Sequence, residues 1–304
     1  MSDHIRLDGR VAIVTGAGGG LGRAHALALA ARGAAVVVND LGTARDGAGA
    51  SDSPAQRVVT EIESAGGRAV ADASDIASPE GAQALVEAAL SSFGRIDALV
   101  NNAGFLRDKS LARMDPADFE AVVRVHLTGS ALMSRAVWPA MQAQGGGRIV
   151  MTTSAAGLYG NFGQSNYGAA KLGAIGLMNT LKLEGARHDI RVNAIAPVAA
   201  TRMTEGTVPP EIVAATPPEL VSPAVVLLCA QECPLNGAIV IAGGGYFALA
   251  RMMESAGVTL QSTDVTPETV AKIIPRITDF TGAQGHDDAF AALGVALDAI
   301  ARQN

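Results

Sequence analysis

The sequence predicts a doubly wound α/β fold, in which a parallel sheet of seven strands is covered by helices on both faces. Short runs rich in Val, Ile and Ala alternate with Ala-rich segments of helical length. Five such runs are residues 11–14, 36–38, 149–151, 190–192 and 239–241. Helix starts are marked by a capping residue followed by proline, at residues 53–54, 78–79, 115–116, 222–223 and 266–267.

Composition and charge exclude several classes of protein. The chain has 304 residues, 49% of them hydrophobic, and a net charge of −6 without a basic stripe, which argues against a nucleic-acid partner. No apolar run approaches the roughly 18 to 20 residues of a membrane span. The polar first ten residues and the last four match no targeting signal, so we expect a cytoplasmic protein. Cys229 and Cys233 are expected to be core thiols on one helix face, and we expect no metal site.

A glycine-rich turn follows the first strand directly. It carries Gly16, Gly20, Leu21 and Gly22 at the start of a helix. Glycine allows a tight turn and close approach of a pyrophosphate, and the helix N-terminus presents unpaired N–H groups to the anion. Asp40 ends the next strand, where an acid accepts hydrogen bonds from the adenosine ribose hydroxyls. We therefore favour a dinucleotide site over an ordinary glycine turn.

Asp40 also favours NAD over NADP. A 2′-phosphate about 4 Å from a carboxylate would be repelled by about 1 to 4 kcal/mol per unit charge. Gly19 and Leu41 flank the site without a compensating cation, whereas the reach of Arg45 in the following loop stays open. That loop, residues 41–53, is rich in Gly, Ala, Asp and Ser. We expect a mobile surface loop, and contact with substrate stays open.

A second group of residues fits proton transfer. Ser154 follows a buried strand, and Tyr167 and Lys171 are four residues apart, so they share a helix face. A free tyrosine has a pKa near 10, so a base role near neutrality needs a lowered pKa. A neighbouring ammonium and a positively charged nicotinamide ring would favour the phenolate. Taken alone, Tyr-x-x-x-Lys is usually structural, but here it accompanies the phosphate turn and the Asn-Asn-Ala-Gly segment at 101–104.

These motifs resemble the short-chain dehydrogenase/reductase family over residues 7 to about 245. The resemblance implies that Tyr167 is the acid/base, that Lys171 binds the nicotinamide ribose and lowers the tyrosine pKa, and that Ser154 orients the carbonyl or alcohol. It also implies further cofactor contacts. These are Asp75 and Ile76 at the adenine, Asn102 in the cleft, and Pro197, Val198 and Thr201 beside the nicotinamide carboxamide.

The sequence departs from the family pattern at two positions. His126, in "RVHLTG", stands where the family usually has an asparagine that holds a relay water. We include His126 among the candidate catalytic residues, the alternative being a satisfied core histidine. Val198 is the second departure, since the family often has glycine after the proline.

Longer segments resemble one subfamily, the (3R)-hydroxyacyl-CoA dehydrogenase domains of type 2 peroxisomal multifunctional enzymes. They are "NNAGFLRDKSLARM", "GLYGNFGQSNYGAAKLG" and the glycine-rich insertion after "VNDLG". The resemblance implies NAD-dependent oxidation of a (3R)-3-hydroxyacyl-CoA, a small-molecule substrate, and we expect a homodimer or homotetramer. Two alternatives stay open: a dehydrogenase of steroids or other hydrophobic alcohols on the same site, and a catalytically silent dinucleotide-binding protein.

The chain continues beyond what a seven-stranded sheet needs. We assign residues 1–245 to the dinucleotide-binding domain and 246–304 to a helical extension packed on it. Residues 266–280 and 287–303 are predicted helices, and the second carries Phe290, Leu293, Leu297 and Ile300 on one face. Docking of this face on the parent domain is favoured over a dimer contact or a lid over the site.

Overall fold

Eight strands form one sheet in the computed structural model, which describes residues 4–43, 46–47, 49, 53–200 and 209–302. The strands are β1 (Val11–Thr15), β2 (Ala35–Asn39), β3 (Arg68–Asp72), β4 (Ala98–Asn101), β5 (Gly147–Thr152), β6 (Ile190–Pro197), β7 (Ile239–Gly243) and β8 (Tyr246–Ala250). The α-helices before β6 are α1 (Gly20–Ala31), α2 (Ser53–Ser64), α3 (Pro79–Phe93), α4 (Pro116–Val123), α5 (Ser130–Gln144), α6 (Ala155–Tyr159) and α7 (Ser165–Gly185). Those after it are α8 (Pro210–Ala215), α9 (Ser222–Cys229), α10 (Pro267–Ile277) and α11 (Ala289–Ala301).

The strand order is β3-β2-β1-β4-β5-β6-β7-β8, and each pair from β3 to β7 is parallel. Every residue of β1, β2, β4 and β5 is buried, because helices cover both faces of the sheet. The order reverses between β1 and β4, and a ligand crevice forms outside the carboxyl ends of the strands at such a point. The predicted doubly wound fold is confirmed, and its topology locates the crevice.

The prediction of seven strands was wrong by one, because β8 follows the glycines that we took as the end of the sheet. Gly244 and Gly245 connect β7 to β8 and have φ of +58° and +83°. A two-residue connection between neighbouring strands makes an antiparallel hairpin, and positive φ at both positions is typical of its type I′ turn. The glycine pair therefore turns the chain back along the sheet edge.

Helix α4 continues into α5 through one π-helical segment, Arg124–Gly129. A π turn inserts an extra residue into a helix and is frequent at functional sites. His126 lies inside this segment and its side chain is buried. The π-helical segment therefore sets the position of a residue that the sequence analysis had singled out.

The two cysteines are buried as predicted, but they do not share a helix face. Cys229 is the last residue of α9, and Cys233 lies beyond the helix. Burial raises the pKa of the Cys229 thiol to about 12. Cys229 is therefore an inert core thiol.

The chain divides into two compact units, residues 1–249 and 250–304. Helices α10 and α11 belong to the second unit and fall in the two segments predicted to be helical. Neither helix contains a fully buried residue. Phe290 is 85% exposed, and Leu293, Leu297 and Ile300 are exposed beside it. The second unit therefore does not bury this face within itself, and packing of the face on the first unit stays a prediction.

Candidate active site

A cleft of about 600 Å³ opens at the carboxyl ends of β1 and β4, where the strand order reverses. Its volume is typical of a small-molecule site. Eight of the residues proposed to bind cofactor line it: Gly16, Gly20, Leu21, Gly22, Asp40, Asp75, Ile76 and Asn102. Of the others, Pro197 ends β6 and Val198 follows it, while Thr201 lies outside the described residues.

The turn after β1 is tight enough to require glycine at two positions. Gly16 has φ of +63°, and a Cβ there would lie 2.6 Å from the Cα of Ala103. A Cβ on Gly22 would lie 2.2 Å from the carbonyl oxygen of Gly16. The N-cap residue of α1, Gly19, provides no side-chain cap, and the first turn of the helix carries no acid. The N-terminal N–H groups of α1 are thus available to an anion such as a pyrophosphate.

Asn102 fastens the end of β4 to this turn. Its Nδ2 donates to the carbonyl oxygens of Thr15 at 3.0 Å and of Gly16 at 3.1 Å. Its backbone N–H donates to Thr15 Oγ1 at 3.0 Å. The amide side chain is therefore fully engaged on its donor side, and its role in the described structure is to hold the glycine turn in place.

Asp40 sits at the mouth of the cleft with both carboxylate oxygens oriented by backbone donors. Oδ2 accepts from the N–H of Gly18 at 2.8 Å, and Oδ1 accepts from the N–H of Gly42 at 2.7 Å. A Cβ on Gly18 would lie 2.7 Å from Oδ2, so this contact also depends on glycine. A carboxylate oxygen has further lone pairs. The oriented group can therefore still accept hydrogen bonds from a ribose.

Two arginines that the sequence reasoning left out also line the cleft. Arg107 Nη1 lies 3.2 Å from Asp118 Oδ1, and Arg124 Nη2 lies 4.0 Å from Asp75 Oδ2. Both guanidinium groups therefore already have a carboxylate partner. Arg45, whose reach was left open, lies outside the described residues.

Ser154, Tyr167 and Lys171 are brought together by the step from β5 through α6 to α7. Ser154 is the N-cap of α6, where its Oγ accepts from the N–H of Ala156 at 3.2 Å. Ser154 lies close enough to Tyr167 to lower the pKa of its phenol. Lys171, one turn further along α7, has its Nζ 5.5 Å from the centre of the Tyr167 ring. The Nζ also donates to the carbonyl oxygen of Thr152 at 2.6 Å.

The pKa of Tyr167 is raised, whereas the sequence analysis expected it to be lowered by Lys171. Burial raises the pKa of Tyr167, and Ser154 offsets this only in part. Burial lowers the pKa of Lys171 to about 7. Desolvation disfavours the charged form of each group, so near pH 7 the tyrosine is neutral and the lysine is only partly protonated.

Gly157 lets α6 approach α7 closely. A Cβ at this position would lie 2.6 Å from the Cβ of Lys171. Thr153 supports the same junction, since its Oγ1 donates to the carbonyl oxygen of Lys171 at 2.9 Å. The position of the lysine thus depends on a small residue that sequence reasoning missed. The only signal for it was its place between Ser154 and Tyr167.

His126 lies beside the candidate catalytic residues, with its ring edge-on to Tyr167 at a centroid distance of 5.2 Å. Its Nε2 lies 3.1 Å from the backbone N of Phe105 and 2.8 Å from its carbonyl oxygen. Burial and the charge of Lys171 lower the pKa of His126 to about 3. A Cβ on Gly104 would lie 1.9 Å from the imidazole Cε1, so the ring fits only because residue 104 is glycine.

An exposed apolar rim borders the candidate catalytic residues. Phe162 is 90% exposed and Tyr159 is 73% exposed, both in the segment between Ser154 and Tyr167. Gln164 Nε2 donates to Asp108 Oδ2 at 2.8 Å, which joins this segment to the loop after β4. Large exposed apolar side chains beside a cleft are typical of a surface that binds an apolar group.

No helix within the described part of the chain is long and apolar enough to cross a membrane. The same residues contain no group of three or more His, Cys, Asp or Glu side chains placed to hold a metal ion.

Comparison with known proteins agrees with this geometry. The family model for short chain dehydrogenase matches residues 10–211. Peroxisomal multifunctional enzyme type 2 of Mus musculus is 48% identical over 285 residues, which cover 93% of this chain and 38% of that enzyme. The chain therefore spans little more than a third of this relative. Hydroxyacyl-CoA dehydrogenase ChsB1 of Mycobacterium tuberculosis is 39% identical, over 86% of this chain and 87% of that protein.

A solved structure adds the cofactor class. 7α-Hydroxysteroid dehydrogenase, complexed with NADH and 7-oxo glycochenodeoxycholic acid, has a TM-score of 0.72 and 33% identity, over 81% of this chain and 97% of that one. The cleft suits a nicotinamide dinucleotide, because an uncapped helix N-terminus and an oriented carboxylate both line it, and such groups can bind a pyrophosphate and a ribose. On the match of the family model and the identity to these relatives, the chain belongs to the short-chain dehydrogenase/reductase family of oxidoreductases.

Proposed function

We propose that this protein is an NAD-dependent dehydrogenase that oxidises a (3R)-3-hydroxyacyl-CoA to the 3-oxoacyl-CoA. The observation that carries the proposal is the contact of Ser154 with Tyr167, with the ammonium of Lys171 one helical turn away and a dinucleotide cleft beside them. This arrangement provides a group that holds an alcohol oxygen and a group that accepts its proton.

Each residue has a separate role in the proposed reaction. Ser154 Oγ donates a hydrogen bond to the alcohol oxygen and so fixes its position next to Tyr167. Tyr167 accepts the hydroxyl proton as the carbonyl forms. Lys171, when protonated, stabilises the phenolate form of Tyr167 that accepts this proton. The bound nicotinamide ring supplies the acceptor for the hydride that leaves C3 of the substrate.

Asp40 supports NAD rather than NADP as the cofactor. Its carboxylate is oriented by the N–H groups of Gly18 and Gly42, so it cannot turn away from a 2′-phosphate without losing two hydrogen bonds. Arg107 and Arg124, the arginines in the cleft, are each next to an acidic partner. A negative group at the ribose 2′ position would thus meet a fixed negative charge.

The acyl-CoA substrate is supported by likeness to named relatives and by the rim. One relative is named as a hydroxyacyl-CoA dehydrogenase. Another is a multifunctional enzyme, of which this chain covers 38%. The exposed Tyr159 and Phe162 side chains give an apolar surface along which an acyl chain can lie. Ser154 and Tyr167 fix the alcohol oxygen, and the nicotinamide position fixes the direction in which the hydride leaves C3. Only one of the two epimers then places its C3 hydrogen in that direction.

The test is NADH formation with each epimer of a 3-hydroxyacyl-CoA over a range of chain lengths. We expect the (3S) epimer to react at least tenfold more slowly, a discrimination of about 1.4 kcal/mol or more. A matching hydroxysteroid tests the main alternative, which the likeness to 7α-hydroxysteroid dehydrogenase favours. Preference for the (3S) epimer, or a steroid turned over far better than any acyl-CoA, contradicts the proposal. Binding of NADH without turnover of any alcohol would support a silent binding protein.

Two broader proposals accompany this one. We propose that the protein acts as a homodimer or homotetramer, which sedimentation equilibrium measures. We propose a cytoplasmic location, although the mouse relative is named as peroxisomal. Fractionation of cells that express the full natural chain distinguishes the two compartments.

A further inference from the structure

His126 is bound at one nitrogen and has nothing to bind at the other. Nε2 meets Phe105 in either tautomer, because it can accept from the N–H at 3.1 Å or donate to the carbonyl oxygen at 2.8 Å. Nδ1 has no hydrogen-bond partner among the described residues, and the side chain is only 3% exposed. The imidazole is therefore attached to the backbone of Phe105 and to no other polar group.

The ring is also confined on two sides. Its edge-on contact with Tyr167 has a centroid distance of 5.2 Å and an interplanar angle of 88°. Gly104 closes the other side, where even a Cβ would overlap Cε1 at 1.9 Å. A shift of the imidazole would therefore displace either the tyrosine ring or the backbone of the loop after β4.

This geometry does not suit a proton relay through the ring. A relay through imidazole takes a proton at one nitrogen and releases one at the other, so both must face the path. Here Nε2 is committed to Phe105. The low pKa of His126, about 3, agrees with this, since it leaves about one ring in ten thousand protonated at pH 7.

Phe105 has a second attachment, through its side chain. A Cβ on Gly47 would lie 2.8 Å from the ring, so Gly47, in the loop after β2, packs directly against it. The Arg107 guanidinium lies 5.2 Å from the ring centre, and its Nε donates to the carbonyl oxygen of Asp46 at 3.0 Å. Gly47 and Phe105 both line the cofactor cleft. Phe105 therefore touches the adenosine side of the cleft with its ring and His126 with its backbone.

We propose that His126 and Phe105 are positioning residues that connect Tyr167 to Gly47, so that the packing of Gly47 against the Phe105 ring sets the position of the tyrosine. This inference rests on the proposed dehydrogenase activity. It assigns His126 a positioning role through Phe105, whereas the asparagine usual at this position in the family holds a water of the proton relay. It also means that Gly47, in the insertion after Asp40, affects kcat.

The first test compares two substitutions that keep different halves of the imidazole. The terminal amide of glutamine reaches the position of Nε2, whereas that of asparagine reaches the position of Nδ1. We expect His126→Gln to keep at least a third of the wild-type kcat and His126→Asn to lose at least tenfold, with KM for NAD changed less than kcat in both. The opposite order indicates a role for Nδ1, and equal values indicate no positioning role; either result overturns the proposal.

A second measurement does not depend on the substrate. Hydrogen–deuterium exchange at the Phe105 amide should be slow in the wild type and in His126→Gln, and at least tenfold faster in His126→Asn. Unchanged protection in His126→Asn overturns the link to Phe105. If the wild type fails to oxidise any 3-hydroxyacyl-CoA, the proposed function fails, whereas the exchange result still decides whether the link exists.

The loop itself offers a matched pair of variants. Gly47 and Gly49 have φ of +84° and +77°, so alanine strains the backbone equally at both positions. A Cβ on Gly49 meets nothing within 4 Å, whereas one on Gly47 meets the Phe105 ring. We expect Gly47→Ala to lower kcat at least fivefold and Gly49→Ala to leave it within twofold. Equal effects of the two variants on kcat, or an effect of Gly47→Ala on KM for NAD alone, overturn the proposal.

Discussion

Replacing Lys171 with methionine should abolish turnover and stabilise the protein at neutral and acidic pH. The lysine side chain is 3% exposed, and burial lowers its pKa from 10.5 to about 7. Below pH 7 the group is protonated in the folded protein, and its burial then lowers the free energy of unfolding. Methionine has a similar unbranched shape and carries no charge, so it removes this cost.

The magnitude follows from the two pKa values. Each pKa unit corresponds to about 1.4 kcal/mol, so the difference between 10.5 in the unfolded chain and about 7 in the folded one amounts to about 5 kcal/mol. The unfolded chain binds more protons between these values, so the cost is complete below pH 7 and falls to about 1 kcal/mol at pH 10. Methionine also loses the hydrogen bond to Thr152, which costs about 1 to 3 kcal/mol at any pH.

We therefore expect Lys171→Met to gain about 2 to 4 kcal/mol at pH 6 and to gain nothing, or lose about 2 kcal/mol, at pH 10. Urea unfolding of the wild type and the variant at the two pH values measures both numbers. Lys182→Met is the control, since Lys182 lies on the same helix and only partly buried. A gain that is the same at pH 6 and pH 10, or a loss at both, refutes the reasoning.

Three further predictions concern the site. Tyr167→Phe should lower turnover by about 10²- to 10⁴-fold and leave NAD affinity within a few fold, because it removes a proton acceptor and little surface; near-normal NADH formation would contradict this. Asp40→Ala with Leu41→Arg should shift the kcat/KM ratio toward NADP by about tenfold or more, and a wild type that already prefers NADP would show the reading of Asp40 to be wrong. Gly157→Ala should destabilise the protein by about 1 to 3 kcal/mol and lower kcat, because the added Cβ presses on Lys171. Gly176→Ala, whose Cβ meets nothing within 4 Å, should do neither.

The parts of the fold and site that could be predicted are those encoded locally. The glycine turn at Gly16 follows its strand directly, and Asp40 directly follows the next strand along the chain, so spacing alone indicates that they meet. Tyr167 and Lys171 are one helical turn apart, and their common face needs no tertiary information. The parallel sheet was predictable because strands buried on both faces read as continuous apolar runs.

What sequence reasoning missed depends on contacts between distant segments. Phe105 looks like any apolar residue after a strand, and only the fold brings Gly47 against its ring. The glycines at 244 and 245 could end a sheet or turn a hairpin, and the choice depends on whether an edge position is open for β8. The Gly47 contact and the β7–β8 hairpin both depend on the space that the rest of the fold leaves for the backbone. The spacing of residues in the sequence does not contain this information.

The pKa of Tyr167 could not be predicted from the sequence either, because it depends on burial. Sequence spacing places an ammonium next to a phenol, and a charge at this distance alone would lower the tyrosine pKa. Burial is set by the whole fold, however, and it acts on both partners, raising the pKa of Tyr167 and lowering that of Lys171 to about 7. The lysine then carries its full charge only below pH 7, so its effect on the tyrosine is weakest where a base is most needed. A positive charge that arrives with the cofactor would favour the phenolate directly, so the proposed mechanism requires the tyrosine to titrate at lower pH in the presence of NAD than in its absence.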